Sequence, residues 1–337
     1  MPNNRQHRYP KIFIRSKNDL AKRFITSNLA QAQALELIND VISNFNKYWR
    51  DSKHSQPEKN KYVRNAKGKP LGRLLKLTDK RLLAPHDVLI PGFIFGGVSG
   101  KSHIDAGYYL LGKQRERTLL ALDIGRFFEQ ISENRVSHFF HNKGQCSKKA
   151  GILLASLCCV EEGPKGKGSN KRVLARGFAT STRLAAWCNL DIFLKLYWLV
   201  QKRLKNYDPR LAIFVDDIGI SASRVPKETM QALAKEIENL LITSDQNQKL
   251  PVNPAKTFIY SYEQGIEHLG LNLGRNKLSF GSKTLSRKAQ ITNRLKTSTK
   301  KSEKRKLRIQ RKSYFAYREQ INRLNKGVHT LSPIGTK

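Results

Sequence analysis

The chain has 337 residues, with 63 Lys and Arg against 26 Asp and Glu, a net charge of +37 and a hydrophobic fraction of 39%. That apolar fraction excludes a disordered basic tail, and the length suffices for two or three subdomains with cores of their own. So large a positive excess selects polyanionic partners, nucleic acid ahead of an anionic membrane surface.

In chain order, the opening MPNNRQHRYPKIF does not read as a signal peptide. Residues 18–50 carry apolar side chains at three- and four-residue spacing and predict an amphipathic helix. A polar linker at 51–61 leads into YVRNAKGKPLGRLLKL, read as a basic hairpin turning at Lys67-Gly68-Lys69. Residues 84–120 are mixed around FGGVSGKSHIDAGYYLL, and TLLALDIGRFFEQI reads as a buried strand running into a helix. KKAGILLASLCCV predicts a short buried helix. The apolar run within it is the longest in the chain and falls short of the roughly 18 residues a spanning helix needs. Its Cys158 and Cys159, with the chain's two other cysteines, match no disulfide or zinc framework, so a reducing, cytoplasmic setting is expected. A flexible loop is expected over 161–173, a long helix over FATSTRLAAWCNLDIFLKLYWLVQKRL, and a hairpin at LAIFVDDIGISAS. A helix over PKETMQALAKEIENLLI follows, then two strands around a turn in PVNPAKTFIYSYEQGIEHLGLNL. From 283 to 326, 16 Lys and Arg stand against Glu303 and Glu319.

Three aspartates need a reason. Asp216 and Asp217 stand side by side inside an apolar run, and Asp123 follows TLLAL and precedes IGRFF. A helix cap or a satisfied core hydrogen bond would explain any one of them. Three at the ends of two predicted strands, in so basic a chain, require compensation by positive charge. Adjacent strands would bring Asp123 beside Asp216, and grouped carboxylates either take up protons or bind hard cations. Mg²⁺ suits such a site, with substrate phosphates and waters completing its shell. A pair of ions about 3.5–4 Å apart clamps the attacking and leaving oxygens of a phosphoryl transfer.

The ordered motifs resemble those of bacterial retron-type reverse transcriptases over about residues 60–275. LALDIGRFF looks like the first palm motif, with Asp123 binding both metals and Ile124 beside it as a further ligand. LARGFATSTRLAAW looks like the second, usually L-P-Q-G-x-P-x-S-P-x-L-A-N, and FVDD like the Y-x-D-D hairpin. NPAKT fits the fourth, HLGL the fifth, and GKPLGR the fingers hairpin. The segment FGGVSGKSHIDAGYYLLG resembles the stretch the family places before its first motif.

The resemblance implies an α+β right-hand polymerase of fingers, palm and thumb. Its antiparallel palm sheet would be flanked by helices, with a helical basic thumb. The implied segments are 1–118 for N-terminal helices and fingers, 119–275 for the palm and 276–337 for the thumb. It assigns Asp123, Asp216 and Asp217 to catalysis and to Mg²⁺, with Mn²⁺ as the alternative ion. Lys69, Arg73, Phe128, Gly177, Phe178 and Lys256 would bind the nucleotide, Phe128 by colliding with a 2′-hydroxyl; the alternative is that Phe127 and Phe128 are both core. His268, Leu269 and Gly270 would form the primer grip. Lys300, Lys301, Lys304, Arg305, Arg308, Arg311 and Lys312 would contact RNA. The implied activity is RNA-directed DNA synthesis from dNTPs, with a structured noncoding RNA as template and a DNA product, in antiphage defence. An effector protein and an oligomer are candidate partners, and no membrane is expected. A catalytically silent RNA scaffold is the alternative.

The chain also departs from the family. Arg176 stands where glutamine is usual, DAGYY replaces N-A-x-x-H, and HLG replaces V-T-G. FGGVSGKS misses the phosphate-binding loop pattern because Phe95 occupies the required glycine position. His138, His141 and Cys146 read as helix surface and core in preference to a zinc site.

Overall fold

The apolar stretch ahead of Asp123 forms Arg117–Asp123, one of the two inner strands of a four-stranded antiparallel sheet, and every one of its residues is buried. On one side it pairs with Asp217–Ser223, which in turn pairs with Arg210–Phe214; on the other it pairs with Phe258–Tyr260. The computed structural model describes residues 9–113 and 116–327, so residues 1–8 of the opening stretch considered for a leader lie outside it. The fold mixes helices with antiparallel sheets.

Alternation along the strands gives this sheet two chemically distinct faces. Arg117, Leu119, Ala121 and Asp123 share one face with their partners Ser223, Ser221, Gly219 and Asp217. At one end Arg117 is buried and compensated by Asp208 at 2.8 Å and the Ser221 hydroxyl at 3.1 Å. In the middle the small residues admit the helix His103–Leu111, whose Leu110 carbonyl accepts from the Ser221 hydroxyl at 2.6 Å. Gly219 is required there: a Cβ would lie 2.7 Å from Leu110 Cδ1 and 2.8 Å from His268 Nε2. The two aspartates close the far end of the same face.

By Cα proximity the chain forms two compact units interleaved in sequence. The one just described contains Lys101–Ile124, Lys195–Leu241 and Pro251–Lys337. It also holds a three-stranded sheet of Ile266–His268, Leu271–Leu273 and Leu278–Phe280, followed by helices Ser282–Thr297 and Lys301–Asn325. The second contains Met1–Gly100, Gly125–Leu194 and Ile242–Leu250. It is mainly helical around Phe24, Phe127, Phe140, Trp187 and Phe193, all fully buried. Its buried Arg183 is held by Asp79 and Asp87.

Several expected elements are divided differently. The helix expected over 18–50 is two, Lys17–Arg23 and Gln31–Asn44, separated by a Thr26–Leu29 bridge. The basic hairpin at Lys67–Lys69 has a helix, Pro70–Leu77, as its second arm, because Pro70 pre-sets the first helical turn. The long helix breaks at buried Asn189, whose side chain bonds back to the Ala185 carbonyl at 3.0 Å, giving Ser181–Cys188 and Leu190–Arg203. The 161–173 loop is the end of a hairpin between Cys159–Glu161 and Arg172–Leu174. No helix among the described residues is long and apolar enough to cross a membrane.

Burial lowers the pKa of His268 to about 4, and its Nε2 has no hydrogen-bond partner among the described residues. Between about 6.5 and 4 an unfolded imidazole binds a proton that the folded one refuses. Folding stability therefore falls with pH across that window, by about 3 kcal/mol from this group at its full extent. Chemical denaturation at both pH values checks this: His268→Leu is expected to lose less stability than wild type on acidification, and equal losses refute it.

Candidate functional site

Asp123, at the end of its strand, pairs directly with Asp217, the first residue of the return strand. Opposed residues in antiparallel strands bring their Cβ atoms to about 4.5–5.5 Å on one face, and like charges so placed repel. Asp216 occupies the two-residue loop between Phe214 and Asp217, and its carbonyl accepts from the Ile124 amide at 2.9 Å. Backbone pairing thus draws Asp216, Asp217, Asp123 and Ile124 to one corner of the sheet.

Lys256 compensates the acids. Its Nζ donates to both oxygens of Asp123, at 2.9 and 2.7 Å. That hydrogen bond is the main influence raising its pKa; burial opposes it, and the charges of Asp123, Asp216 and Asp217 add to it. The side chain of Asp123 is 8% exposed and that of Lys256 58%, so the pair joins a buried anion to a solvated cation. The turn Pro254–Lys256 aims the lysine: the Asn253 side chain caps the Ala255 amide at 3.2 Å, and its own amide donates to the Asp123 carbonyl at 2.8 Å.

The loop carries strain. Val215 has φ +62° and Asp216 does not share the positive sign, the pattern of a type II′ hairpin whose first loop position favours glycine. A β-branched residue there costs on the order of 1–3 kcal/mol and persists only where its surroundings hold it.

Carboxylates and a main-chain carbonyl are the hard oxygen donors that Mg²⁺ takes, and an ammonium already occupies one of them. Among the described residues no three of His, Cys, Asp and Glu form a group able to hold an ion unaided. A divalent ion at this corner would need phosphate and water oxygens to complete its shell and would have to displace Lys256 from Asp123.

The remaining expected residues fall into separate places. Leu269 and Gly270, at φ +55° and +73°, form the two-residue loop between His268 and Leu271, the pattern of a type I′ turn. Lys300 precedes the helix Lys301–Asn325, and Lys301, Lys304, Arg305, Arg308, Arg311 and Lys312 lie along it. All of these are exposed except the half-buried Lys304.

In the second unit Lys69 immediately precedes the helix Pro70–Leu77 and Arg73 follows one turn later, both exposed. Gly177, at φ +99°, runs so close to Arg64 that a Cβ would sit 2.6 Å from its carbonyl oxygen. Phe178 is buried, as are both Phe127 and Phe128. The Phe128 ring is covered by the Arg176 guanidinium, 4.9 Å from its centroid, and Arg176 is held by Glu129 at 3.0 and 3.2 Å. An open ring at Phe128 is thus replaced by a buried one under an ion pair. The Arg176 departure was the signal in the sequence, whereas nothing there marked Glu129. The Lys256–Asp123 contact and the Val215 strain were likewise unmarked. His141, set aside as a zinc ligand, bonds to the Cys146 carbonyl at 2.8 Å.

A scan against protein-family models and a search of curated proteins both return no match.

Lys256→Met is expected to destabilise the chain by about 1–2 kcal/mol in metal-free buffer, a buried-pair loss discounted for the lysine's exposure. The variant's melting temperature should then rise more with Mg²⁺ than wild type's; an identical Mg²⁺ response would refute the displacement. Val215→Gly should hold or raise the melting temperature, since relief of the positive φ offsets glycine's roughly 0.5–1 kcal/mol entropic cost. A clear fall would show that the valine side chain is itself needed.

Proposed function

We propose that the chain is an RNA-directed DNA polymerase of the retron-type reverse transcriptase kind, working with a structured RNA. The observation that carries this reading is the in-register pairing of Asp123 with Asp217, beside Asp216 in the loop and under Lys256. A sheet that opposes two like charges at its corner is built against its own stability, which suits a site for cations and phosphates.

The reaction is attack of a primer hydroxyl oxygen on the α-phosphorus of a dNTP. One P–O bond forms as the hydroxyl proton passes to solvent water, the bond to the β-phosphate bridging oxygen breaks, and pyrophosphate leaves. Mg²⁺, when bound, neutralises the phosphate charge and favours the deprotonated hydroxyl. Asp123, Asp216 and Asp217, with the Ile124 carbonyl, would hold it. The strained loop keeps Asp216 in its position, and Lys256, once released from Asp123, offers its ammonium to the departing phosphates. In this reading residues 1–118 supply the fingers, 119–275 the palm with the four-stranded sheet, and helices Ser282–Thr297 and Lys301–Asn325 belong to the thumb. Lys69 and Arg73 would hold the triphosphate, and His268, Leu269 and Gly270 the primer end. A role in antiphage defence is the wider proposal that follows from the resemblance.

The second reading, a silent RNA-binding scaffold, is favoured by one observation: Lys256 already neutralises the acid that a metal would need. Extension of labelled dNTP on co-purified RNA separates the two. Incorporation by wild type that falls by at least about 10³-fold in Asp216→Ala, with RNA affinity unchanged, supports the polymerase. Equal RNA binding with no incorporation under Mg²⁺ or Mn²⁺ supports the scaffold. Neutralising Lys301, Arg305, Arg308 and Lys312 together should reduce the salt slope of RNA binding by about 3–4; an unchanged slope removes that helix from the interface.

A further inference from the structure

The helix Lys301–Asn325 has two opposite faces. Leu307, Ile321 and Leu324 are buried along one, with Tyr314 and Tyr317 half-buried beside them, while Lys301, Arg305, Arg308 and Lys312 are exposed along the other. At 100° per residue the two sets centre about half a turn apart. The buried face reaches the acidic corner through a short aromatic column. The Tyr317 hydroxyl bonds to His103 Nε2, their rings lie 5.0 Å apart, and Phe280 stacks on Tyr317 at 5.1 Å. The His103 ring then meets the Phe214 ring edge-on at 5.8 Å. Phe214 is the residue before strained Val215 and the cross-strand partner of Asp217.

A non-glycine loop at positive φ needs neighbours that hold it in place. Phe214 is the ring nearest that loop in the chain, and its packing partner is His103, itself fixed by Tyr317. We propose that Tyr317 and His103 are positioning residues, through which a polyanion on the basic face of the helix steadies the Val215–Asp216 loop and hence the aspartates. This deepens the polymerase reading and rests on it for its catalytic consequence, although the mechanical link can be measured without activity. The polyanion is an RNA duplex: a cationic stripe along one face of a 25-residue helix suits the continuous line of phosphates that a duplex presents. Burial lowers the pKa of His103, so the imidazole meets the hydroxyl uncharged at neutral pH.

Gln320 supplies a control. It ties the same helix to the Ser102 hydroxyl at 2.9 Å and the Asp105 carboxylate at 3.4 Å, and takes no part in the ring contacts or the hydrogen bond of the column. The test uses the full chain with a generic RNA duplex and compares wild type, Tyr317→Phe, His103→Asn and Gln320→Ala, each first checked by thermal melting. Amide hydrogen exchange over 211–219 is read with and without duplex, and duplex affinity is measured by filter binding. Wild type and Gln320→Ala should gain protection on adding duplex. Tyr317→Phe and His103→Asn should bind duplex with unchanged affinity but lose that gain. Where wild type incorporates dNTP, Tyr317→Phe should lower kcat about tenfold with KM unchanged. The proposal is overturned if duplex leaves wild-type exchange over 211–219 unaltered. It is also overturned if Tyr317→Phe gains protection as wild type does, or if Gln320→Ala fails to gain it. Should wild type incorporate nothing while exchange behaves as expected, the polymerase reading fails and the mechanical link stands.

Discussion

Two carboxylates opposed across antiparallel strands, with an ammonium bonded to one of them, form the constraint around which this unit is arranged. Asp123 cannot leave the corner, because its strand is buried along its whole length and paired on both sides. Asp217 cannot leave either, because its register is set by the unbroken ladder to Ser223. A one-residue slip would turn Gly219 and Ser221 away from the helix they admit and put isoleucines in their place. The repulsion is therefore held by the rest of the sheet, and Lys256 answers it from a short turn capped by Asn253.

That arrangement explains why so basic a chain keeps acids at this point. An ammonium on a solvated stem satisfies a buried carboxylate without burying a second charge, which limits the desolvation cost. It also leaves the pair open to exchange, since the lysine is more exposed than the acid it holds. The opposite design appears at Arg183, where guanidinium and carboxylates are all largely buried and the contacts are structural. One ion pair is half-open to solvent and the other is enclosed.

The second unit shows how a familiar side chain can sit in an unfamiliar setting. The resemblance implied that the Phe128 ring faces a sugar. In the structure that ring lies under Arg176, and Arg176 is held by Glu129. Whatever approaches that surface meets a guanidinium before it meets an aromatic face. The arginine that marked a departure in the sequence is thus part of a three-residue arrangement, of which the resemblance singled out two members.

The aspartates were legible because their cost was legible: acids inside apolar strand-forming runs are expensive, and the runs themselves fixed which residues became strands. The basic run after 283 was readable for an equally local reason, its charge density. Helix breaks at 26–29 and at Asn189 were not, because apolar periodicity continues across both and only packing decides where a helix stops. By itself the sequence determined which groups had to be compensated and which surface would seek polyanions, since burial and charge are properties of residue type. The tertiary structure alone decided what compensates what: that Lys256, 133 positions away from Asp123, reaches it, that Arg176 covers Phe128, and that Tyr317 meets His103. Those pairings depend on strand register and helix docking, which bring together residues whose separation along the chain carries no trace of their contact.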